Sequence, residues 1–389
     1  MHISITAGLN FGDEGKGSVV NHLCKDPKTT LVIRHNSGHQ AGHTVVHNKI
    51  RHSFSNFGSG TLKGIPTYWS EYCTIDPRGV LKEGNVLREQ GINPVIYFDG
   101  DAIVTTPYDI YYNINDRENK SHGTVGVGFG TTIQRNEDHY HLYVRDLMFP
   151  TIRDFKLELI QYYYYNKTKN LKFFDLDIVE FKNACNDLVN RFEIVNNNDY
   201  DKMILSKSFL IFEGSQGIML DSNYGFFPYV TRSNTTSKNA MELIKKWGIQ
   251  NKIRHIFSNF EKIDIYYITR AYQTRHGRGF MSNENLNNSC IKTNPLETNL
   301  DTGMQGVFRR TILDLDQLKY ALLCDKTNHT GFPYLDYKLV ITCCDHVDKK
   351  IPVTINTILS FLTAKEIADQ LNIFCVYTSN SDKGNIKIL

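Results

Sequence analysis

The sequence predicts an α/β protein with one large, mostly parallel central sheet that helices cover on both faces. Two observations predict this fold class. Short apolar, β-branched runs recur along the 389 residues, and most of them are bounded by Gly, Asn or Asp and are too short for helices. Amphipathic helical patterns separate many of these runs, and such alternation is typical of a parallel sheet. Because we find no internal repeat and no long linker, we expect residues 1–389 to form a single domain.

Seven runs carry the strand prediction. They are HISITA (2–7), TLVIRH (30–35), PVIYF (94–98), FLIF (209–212), IDIYYIT (263–269), KLVIT (338–342) and IFCVYT (373–378). Continuous apolar runs of this kind are typical of strands that are buried on both faces. Residues 177–192 and 357–371 instead repeat apolar positions every three or four residues, which predicts helices.

The composition and net charge of the chain indicate which classes of binding partner are unsupported. Lysine and arginine (44) nearly balance aspartate and glutamate (41), and there is no dense basic run. A nucleic-acid or membrane-surface partner therefore has no support. We expect no membrane span and no export signal, since long apolar stretches are missing from the sequence. The eight scattered cysteines form no C-x-x-C pair, so we expect reduced thiols in a soluble, cytoplasmic protein.

A glycine-rich segment, GLNFGDEGKGS (8–18), directly follows the first predicted strand. A turn that leaves a strand and opens a helix directs backbone N–H groups and the positive helix end at a phosphate. The segment differs from the standard P-loop, because Asn10 and Gly17 replace its first glycine and its Ser or Thr. Lys16 supplies a positive charge. Asp13 is a candidate Mg²⁺ ligand, general base or both, although for Asp13 alone a helix-capping role is a reasonable alternative.

The segment RHNSGHQAGHTVVH (34–47) spaces its histidines four residues apart, which on a helix would align them as a metal seat. Two interior glycines disfavour a helix, since each costs about 1 kcal/mol relative to alanine. We therefore predict a loop at the carboxyl edge of the sheet, where open α/β sheets bind ligands. Zinc would also need cysteine or carboxylate partners nearby. We expect His35, His39 and His47 to be structural or solvated.

Five motifs follow one another along the chain. They are GDEGKG (12–17), QAGHT (40–44), FEGSQG (212–217) with FPYVTRSNTT (227–236), QTRHGRG (273–279) and TCCD (342–345). Together they resemble the motifs of the adenylosuccinate synthetase family, the GTP-dependent ligases that join aspartate to IMP. The resemblance covers nearly the whole chain in the family's order.

The resemblance implies phosphoryl chemistry in two steps. In the family, the γ-phosphoryl group of GTP moves to O6 of IMP, and the amine of aspartate then displaces phosphate. Asp13 matches the base that removes the purine N1 proton, and His43 matches the acid at the β–γ bridge. Lys16 would stabilise the developing charge, and Mg²⁺ would bind Asp13 and the carbonyl of Gly42.

The resemblance also implies three sets of binding residues. Those for GTP are Gly12, Gly15, Lys16, Gly17, Gly42, His43, Thr44 and Asp345. The Asp345 carboxylate would accept from N1–H and the amine of guanine, which favours GTP over ATP. The residues for IMP are Asp13, Gln40, Gly123, Thr124, Gln216, Thr231 and His276, and those for L-aspartate are Thr302, Arg309 and Arg310.

The chain departs from the family pattern around phosphate and aspartate. In the turn HGTVGVGFG (122–130), Val125 replaces a threonine and Val127 an arginine. A glycine-rich turn that merely packs on a strand is an equal alternative there. The arginine-rich aspartate loop has shrunk to 302–310, and Cys343 replaces a lysine beside the guanine-reading aspartate.

The family is homodimeric and inserts an arginine from the partner subunit. Alignment with the family places His139 near that position, and Arg135 and Arg145 are further candidates. We expect a homodimer, in which the trans contact is open.

Three alternatives remain. A sister group in viral genomes makes 2-aminoadenylosuccinate from dGMP, and many of its members replace both aspartates. Asp13 and Asp345 are present here, which favours IMP and GTP, whereas the short loop ending at Arg310 favours dGMP. A GTP-binding module without ligase activity would need neither Asp13 nor His43. A histidine-rich metal protein is the last alternative.

Overall fold

The computed structural model describes residues 1–116, 123–196, 203–204, 206–248, 263–294, 297, 306–332, 334–381 and 386–389. A ten-stranded sheet forms its centre. From edge to edge, the strands are β19 (Ile386–Ile388), β18 (Cys375–Ser379), β15 (Leu335–Thr342), β11 (Ile263–Arg270), β1 (His2–Gly8), β10 (Phe209–Glu213), β2 (Thr30–Arg34), β5 (Thr67–Trp69), β7 (Ile96–Asp99) and β9 (Glu193–Val195).

The predicted fold class is confirmed. Every neighbouring pair in the central sheet is parallel except β18 and β19. Each of the seven predicted runs forms one of its strands. The reason is burial on both faces: all eight residues of β11 are buried, for example, so the sequence there shows no polar alternation.

Smaller sheets surround the central one. They are built from β3 (His43–His47) with β4 (Ile50–Phe54), β6 (Thr74–Ile75) with β8 (Ile103–Val104), β12 (Gln273–His276) with β13 (Phe308–Thr311), and β14 (Leu313–Asp314) with β16 (Ile351–Ile355) and β17 (Ile358–Leu362).

The helices within the described ranges connect and cover these strands. They are α1 (Lys16–Leu23), α2 (Pro77–Glu89), α3 (Pro107–Asn115), α4 (Phe129–Glu137), α5 (Pro150–Thr168), α6 (Val179–Arg191), α7 (Lys238–Lys246), α8 (Leu315–Lys326) and α9 (Ala364–Gln370). None of the helices in the described ranges is long and apolar enough to cross a membrane.

One helix prediction is confirmed and one is partly wrong. Within the predicted range 177–192, Val179–Arg191 form α6 as expected. In 357–371, by contrast, the first part is strand β17, and α9 begins at Ala364 after the cap Thr363. The difference arises because Asn356 and Thr357, both at positive φ, form a tight turn that pairs β17 with β16. Cross-strand pairing therefore overrides the helical spacing of the apolar residues.

Apolar clusters lie on both faces of the central sheet. Along β11, Ile265 and Tyr267 belong to the largest cluster, whereas Tyr266 and Ile268 belong to another on the opposite face. A further cluster packs around Trp69 and the helices near β5 and β7. Because successive side chains of a strand alternate between faces, this division shows that β11 is covered on both sides.

Candidate active site

Five adjacent parallel strands bring polar residues to the carboxyl edge of the sheet. In spatial order these strands are β15, β11, β1, β10 and β2. Their last residues are Thr342, Arg270, Gly8, Glu213 and Arg34. Loops that follow neighbouring parallel strands meet at one edge, which is where open α/β sheets bind ligands.

The glycine-rich segment after β1 (8–18), called the phosphate loop below after its predicted ligand, is a tight loop that runs into the start of α1. Asp13 has a φ of 56°, between Gly12 at 91° and Gly15 at 84°. The buried carboxylate of Glu14 accepts a hydrogen bond from the backbone N–H of Asn10 and pairs with Nζ of Lys16 at 2.9 Å. The loop is therefore folded around a buried ion pair, with Lys16 held at the N-terminus of α1.

Asp13 pairs with a histidine far away in sequence. Its Oδ2 lies 2.8 Å from Nε2 of His276, and Arg270 donates to its backbone carbonyl. Burial alone would raise the pKa of Asp13, but the hydrogen bond from His276 and the charges of His276, Arg270 and Lys16 lower it to about 2. Asp13 is therefore a carboxylate at neutral pH, which is the form that a base or a metal ligand requires.

His43 lies against the start of α1 and is held by a buried carboxylate. Its Nδ1 is 2.5 Å from Oε1 of Glu213, and the backbone N–H of Ser59 donates to Oε2 at 2.9 Å. The hydroxyl of Ser59 also donates to Oε1. A Cβ on Gly17 would lie 3.0 Å from both His43 Cβ and Ser59 Oγ. The phosphate loop therefore approaches His43 closely because residue 17 is glycine.

The loop after β2 joins the segments expected to contact the purine. The amide of Asn36 accepts from the N–H of Ser215 at 2.8 Å and donates to the carbonyl of Asn234 at 3.1 Å. Gln216, at a φ of 62°, packs its backbone beside Gly12. The structure thus brings the second and third motifs together beside the phosphate loop.

Two of the residues predicted to contact the purine differ in whether their polar atoms have hydrogen-bond partners within the protein. Both side-chain polar atoms of Gln40 are buried and have no hydrogen-bond partner among the described residues. Thr231 is half-buried, and its backbone N–H donates to the carbonyl of Leu220. An unpaired buried amide is costly, so Gln40 is well suited to a polar ligand.

The glycine-rich turn 123–130 is stabilised by hydrogen bonds of Thr124 and by a contact from His39 in the loop 35–42. The hydroxyl of Thr124 donates to Oδ1 of Asn113 and accepts from the N–H of Gly126, both at 3.1 Å. Nε2 of His39 lies 3.0 Å from the carbonyl of Val127. Gly123, the first described residue of the turn, is half-buried. Thr124 is thus engaged in the turn itself, and His39 is structural.

The predicted guanine-reading residue follows a strand that touches the phosphate loop. The hydroxyl of Thr342 donates to the carbonyl of Glu14 at 2.8 Å. Cys343 then adopts a φ of 56°, and the side chain of Asp345 is 41% exposed. Asp345 thus offers an exposed carboxylate three residues after a strand end that contacts the phosphate loop.

Other predicted nucleotide and aspartate contacts have protein partners. Thr44, on β3, has its hydroxyl 2.6 Å from the hydroxyl of Ser53.

The two arginines predicted to bind aspartate lie on β13. Arg309 pairs with Glu284 at 2.6 Å, and Arg310 donates to the carbonyl of Lys292 at 3.0 Å. Because adjacent strand residues point to opposite faces, the two arginines do not form one clamp. The third residue predicted for aspartate, Thr302, lies outside the described residues.

One candidate for the arginine that crosses to a partner subunit is wrong. Arg135 is fully buried, and its guanidinium pairs with Asp109 at 2.8 Å inside its own subunit. Arg145 is half-exposed and pairs with Asp101. His139 is exposed and has a φ of 68°. The expectation for Arg135 fails because the sequence does not reveal its buried partner.

The four histidines of 34–47 do not form a stripe. Residues 35–42 form a loop as predicted, and His43 and His47 begin and end β3. His35 is buried, and neither ring nitrogen has a partner in the described part of the chain. Across those described residues, no group of three His, Cys, Asp or Glu side chains could hold a metal ion.

Sequence reasoning missed four site residues, namely Arg34, Ser59, Glu213 and Arg270. Three of them share a signal: a charged residue ends an apolar strand run, as in TLVIR, FLIFE and IDIYYITR. A charge that closes a buried strand lies at the carboxyl edge, where ligands bind. Ser59 carries no such signal, because its partner Glu213 is 154 residues away.

Comparison with known proteins gives a consistent result. The family model described as adenylosuccinate synthetase matches residues 5–356. Adenylosuccinate synthetase of Thermoplasma volcanium is 27% identical over 86% of this chain and 75% of its own length. That of Mycoplasma mycoides is 28% identical over 89% and 80%, respectively.

Solved structures agree in fold. The fully ligated adenylosuccinate synthetase of Plasmodium falciparum has a TM-score of 0.73 at 18% identity, with 100% of both chains covered. The cyanophage S-2L succinoaminodeoxyadenylate synthetase, bound to dGMP and dATP, has a TM-score of 0.66 at 15% identity, with 100% of this chain and 95% of that chain covered. At these identities the likeness concerns the fold.

Proposed function

The chain belongs to the adenylosuccinate synthetase family, a family of GTP-dependent ligases of IMP and L-aspartate, and we propose that it performs this reaction at the carboxyl edge of its central sheet. The observation that carries the proposal is the convergence there of Asp13, Lys16 and His43, with Asp345 following β15 at the same edge. The products are adenylosuccinate, GDP and phosphate.

Asp13 acts first in the proposed mechanism. It takes the N1 proton of IMP, which makes O6 a nucleophile for the γ-phosphorus of GTP. A carboxyl group with a pKa of about 2 is a weak base. Displacement of His276 by the purine would remove the main hydrogen bond that lowers this pKa and so strengthen the base.

Lys16 and His43 act on the phosphates. The ammonium of Lys16, at the N-terminus of α1, offsets charge that develops on the γ-phosphoryl group. Because Nδ1 of His43 is bonded to Glu213, only the doubly protonated ring can donate through Nε2 to the β–γ bridging oxygen. Burial lowers the pKa of His43, whereas Glu213 opposes this shift, so the proton at Nε2 is easily given up. The amine of aspartate then attacks C6, and phosphate leaves.

The residues present fit Mg²⁺. Magnesium is usually held by one or two carboxylates together with substrate phosphates and water, so a cluster of acids is not required. Asp13 offers an ionised, partly exposed carboxylate. Gly42 is exposed, and a Cβ there would meet no atom within 4 Å, so there is open space at this residue. When bound there, Mg²⁺ neutralises charge on the transferred phosphoryl group.

The remaining residues are proposed to bind substrates. For GTP these are Gly12, Gly15, Gly17, Gly42 and Thr44 around the phosphates and Asp345 at the guanine. For IMP they are Gln40, Gly123, Thr124, Gln216, Thr231 and His276, and for aspartate they are Thr302, Arg309 and Arg310. The unpaired buried amide of Gln40 supports the IMP set.

A second candidate function differs from the first in its purine substrate, which would be dGMP instead of IMP. We favour IMP because Asp13 and Asp345 are both present, whereas the short loop ending at Arg310 favours dGMP. A panel of IMP, dGMP and GMP, each with GTP or ATP, aspartate and Mg²⁺, tests both. Succinylated product from IMP with GTP supports the proposal, and product from dGMP alone supports the alternative. Nucleotide binding without product from any pair would indicate a regulatory module.

We also propose a homodimer that forms through helix α5. Ile152, Phe155, Leu159 and Tyr162 recur at helical spacing and are each more than 40% exposed. An exposed apolar stripe of this kind marks an interaction surface. A monomeric mass in light scattering would contradict this proposal, and Phe155→Glu should dissociate the dimer.

Two broader proposals concern the whole chain. Residues 1–389 form one catalytic domain, since the central sheet takes strands from both ends of the sequence. A cytoplasmic location is supported by the eight cysteines, all of which are free thiols.

A further inference from the structure

His43 is attached to the protein through one ring nitrogen. Its Nδ1 contacts Glu213, while Nε2 has no hydrogen-bond partner within the described ranges. The imidazole lies beside Gly17 at the start of α1. If phosphates bind at this loop, Nε2 is the nitrogen available to them.

The carboxyl group of Glu213 is ionised at neutral pH. The side chain is fully buried, which alone would raise its pKa, but His43, Arg34 and Ser59 together lower it to about 2. Arg34 is itself fully buried, stacks over Trp69 at 5.0 Å and forms no ion pair with a described residue. The buried charge of Arg34 is one of the causes that lower the pKa of Glu213.

The state of Glu213 determines the tautomer of His43. An ionised carboxylate accepts hydrogen bonds and cannot donate them. Nδ1 must therefore carry hydrogen, and any second proton must bind at Nε2. The two hydrogen bonds from Ser59 hold the carboxylate in place, so neither the acceptor nor the ring is free to rotate.

We propose that Glu213 is a positioning residue, which holds His43 through Nδ1 so that Nε2 alone exchanges a proton with the nucleotide. This inference rests on the proposed role of His43. It assigns no contact between Glu213 and substrate, since the carboxylate is fully buried. Outer carboxylates that orient a metal-bound imidazole are worth about 10- to 100-fold in metal affinity or activity, and we expect an effect of this order on the imidazole of His43.

Glu213→Gln is the direct test, because it keeps the size of the side chain. The amide has one acceptor oxygen, so it cannot accept from His43 and from both donors of Ser59. We expect kcat to fall about 100-fold, with KM for GTP and IMP within about threefold, since substrate contacts remain. The matched control is Asp264→Asn, which alters a carboxylate–histidine pair with His2 near the opposite edge of the sheet and should leave kcat unchanged.

A double variant separates positioning from an independent effect. If Glu213 acts through His43, adding Glu213→Gln to His43→Asn should slow turnover by no more than about twofold, because coupled residues are not additive. A full 100-fold further loss would overturn the proposal, as would a normal kcat in Glu213→Gln.

Nitrogen-15 NMR of histidine tests the same claim without activity. The wild-type protein should show His43 protonated at Nδ1, with a downfield proton from its short bond to the carboxylate. Glu213→Gln should lose this signal, and Asp264→Asn should keep it. A wild-type His43 protonated at Nε2 alone would overturn the inference. If the Nδ1 signal is present but no product forms, the proposed function fails while the inference about Glu213 stands.

Discussion

The amino and carboxyl edges of the central sheet are formed by opposite ends of the same strands, but their polar side chains are paired differently. Near the amino edge, Asp264 on β11 pairs with Lys338 of β15 at 3.0 Å and with His2 of β1 at 3.2 Å. At the carboxyl edge, Glu213 and Asp13 also pair with histidines, but there buried polar atoms such as those of Gln40 remain unpaired.

Backbone conformation differs in the same direction. Asp13, Ser37, Gln216 and Cys343 all have positive φ in loops at the carboxyl edge. Among the described loops that lead into the parallel strands of the central sheet, by contrast, Asn372 is the one non-glycine residue with positive φ. Non-glycine residues in this region store strain of about 1–3 kcal/mol each, which clusters at functional sites. We infer that paired charges on the regular strands stabilise the fold, whereas the charged residues and strained backbone of the loops after the strands serve to bind ligands.

The largest expected effect lies at the carboxyl edge. Asp13→Ala removes the proposed base, so kcat should fall by at least about 1,000-fold. GTP should still bind, because Lys16 and the loop N–H groups remain. Steady-state kinetics and calorimetric titration with GTP measure the two quantities. Turnover near the wild-type rate would remove Asp13 from the mechanism.

A smaller effect is expected at the guanine contact. Asp345→Asn loses one of two acceptors for the N1–H and amine of guanine, so the preference for GTP over ATP in kcat/KM should fall about 100-fold. The partly exposed side chain makes no buried ion pair, so stability should be unchanged. An unaltered preference would show that guanine is recognised elsewhere.

The amino edge should respond in stability and not in catalysis. Asp264→Asn weakens the pairs with Lys338 and His2, and we expect a loss of about 1–2 kcal/mol in the free energy of unfolding. Urea denaturation measures this change. A drop in kcat with intact folding would contradict the division of labour between the edges.

The smallest effect concerns pH. Burial alone would raise the pKa of Asp264, but hydrogen bonds from His2 and Lys338 hold it below its usual value of 3.8. A carboxyl group whose pKa is lower in the folded state stabilises the protein above about pH 4 and loses this contribution as the pH falls further. Wild-type stability should therefore decline more steeply below pH 4 than that of Asp264→Asn. Parallel curves would contradict the assignment.

The sequence was most informative where local pattern and burial agree. All seven apolar runs became strands of the central sheet, because a buried parallel strand needs continuous apolar residues. The phosphate loop and the loop 35–42 also followed from glycine spacing. Strand β17 was misjudged, since its pairing with β16 depends on a turn at Asn356 and Thr357 that apolar spacing does not encode.

Contacts between distant residues escaped sequence reasoning. His276 and Asp13 are 263 positions apart, and His43 and Glu213 are 170 apart. Arg135 was a candidate for a contact with another subunit, whereas its partner is Asp109 of its own chain. Such pairs depend on how the strands are ordered in the sheet, so they become visible only with the fold.

Isotope exchange tests the central claim most directly, because it isolates the step assigned to Asp13. With IMP, Mg²⁺ and GTP labelled with oxygen-18 at the β–γ bridge, but without aspartate, reversible phosphoryl transfer to O6 moves the label into nonbridging β-positions. We predict exchange in the wild-type protein and none in Asp13→Asn. Exchange at the wild-type rate in Asp13→Asn would contradict the account.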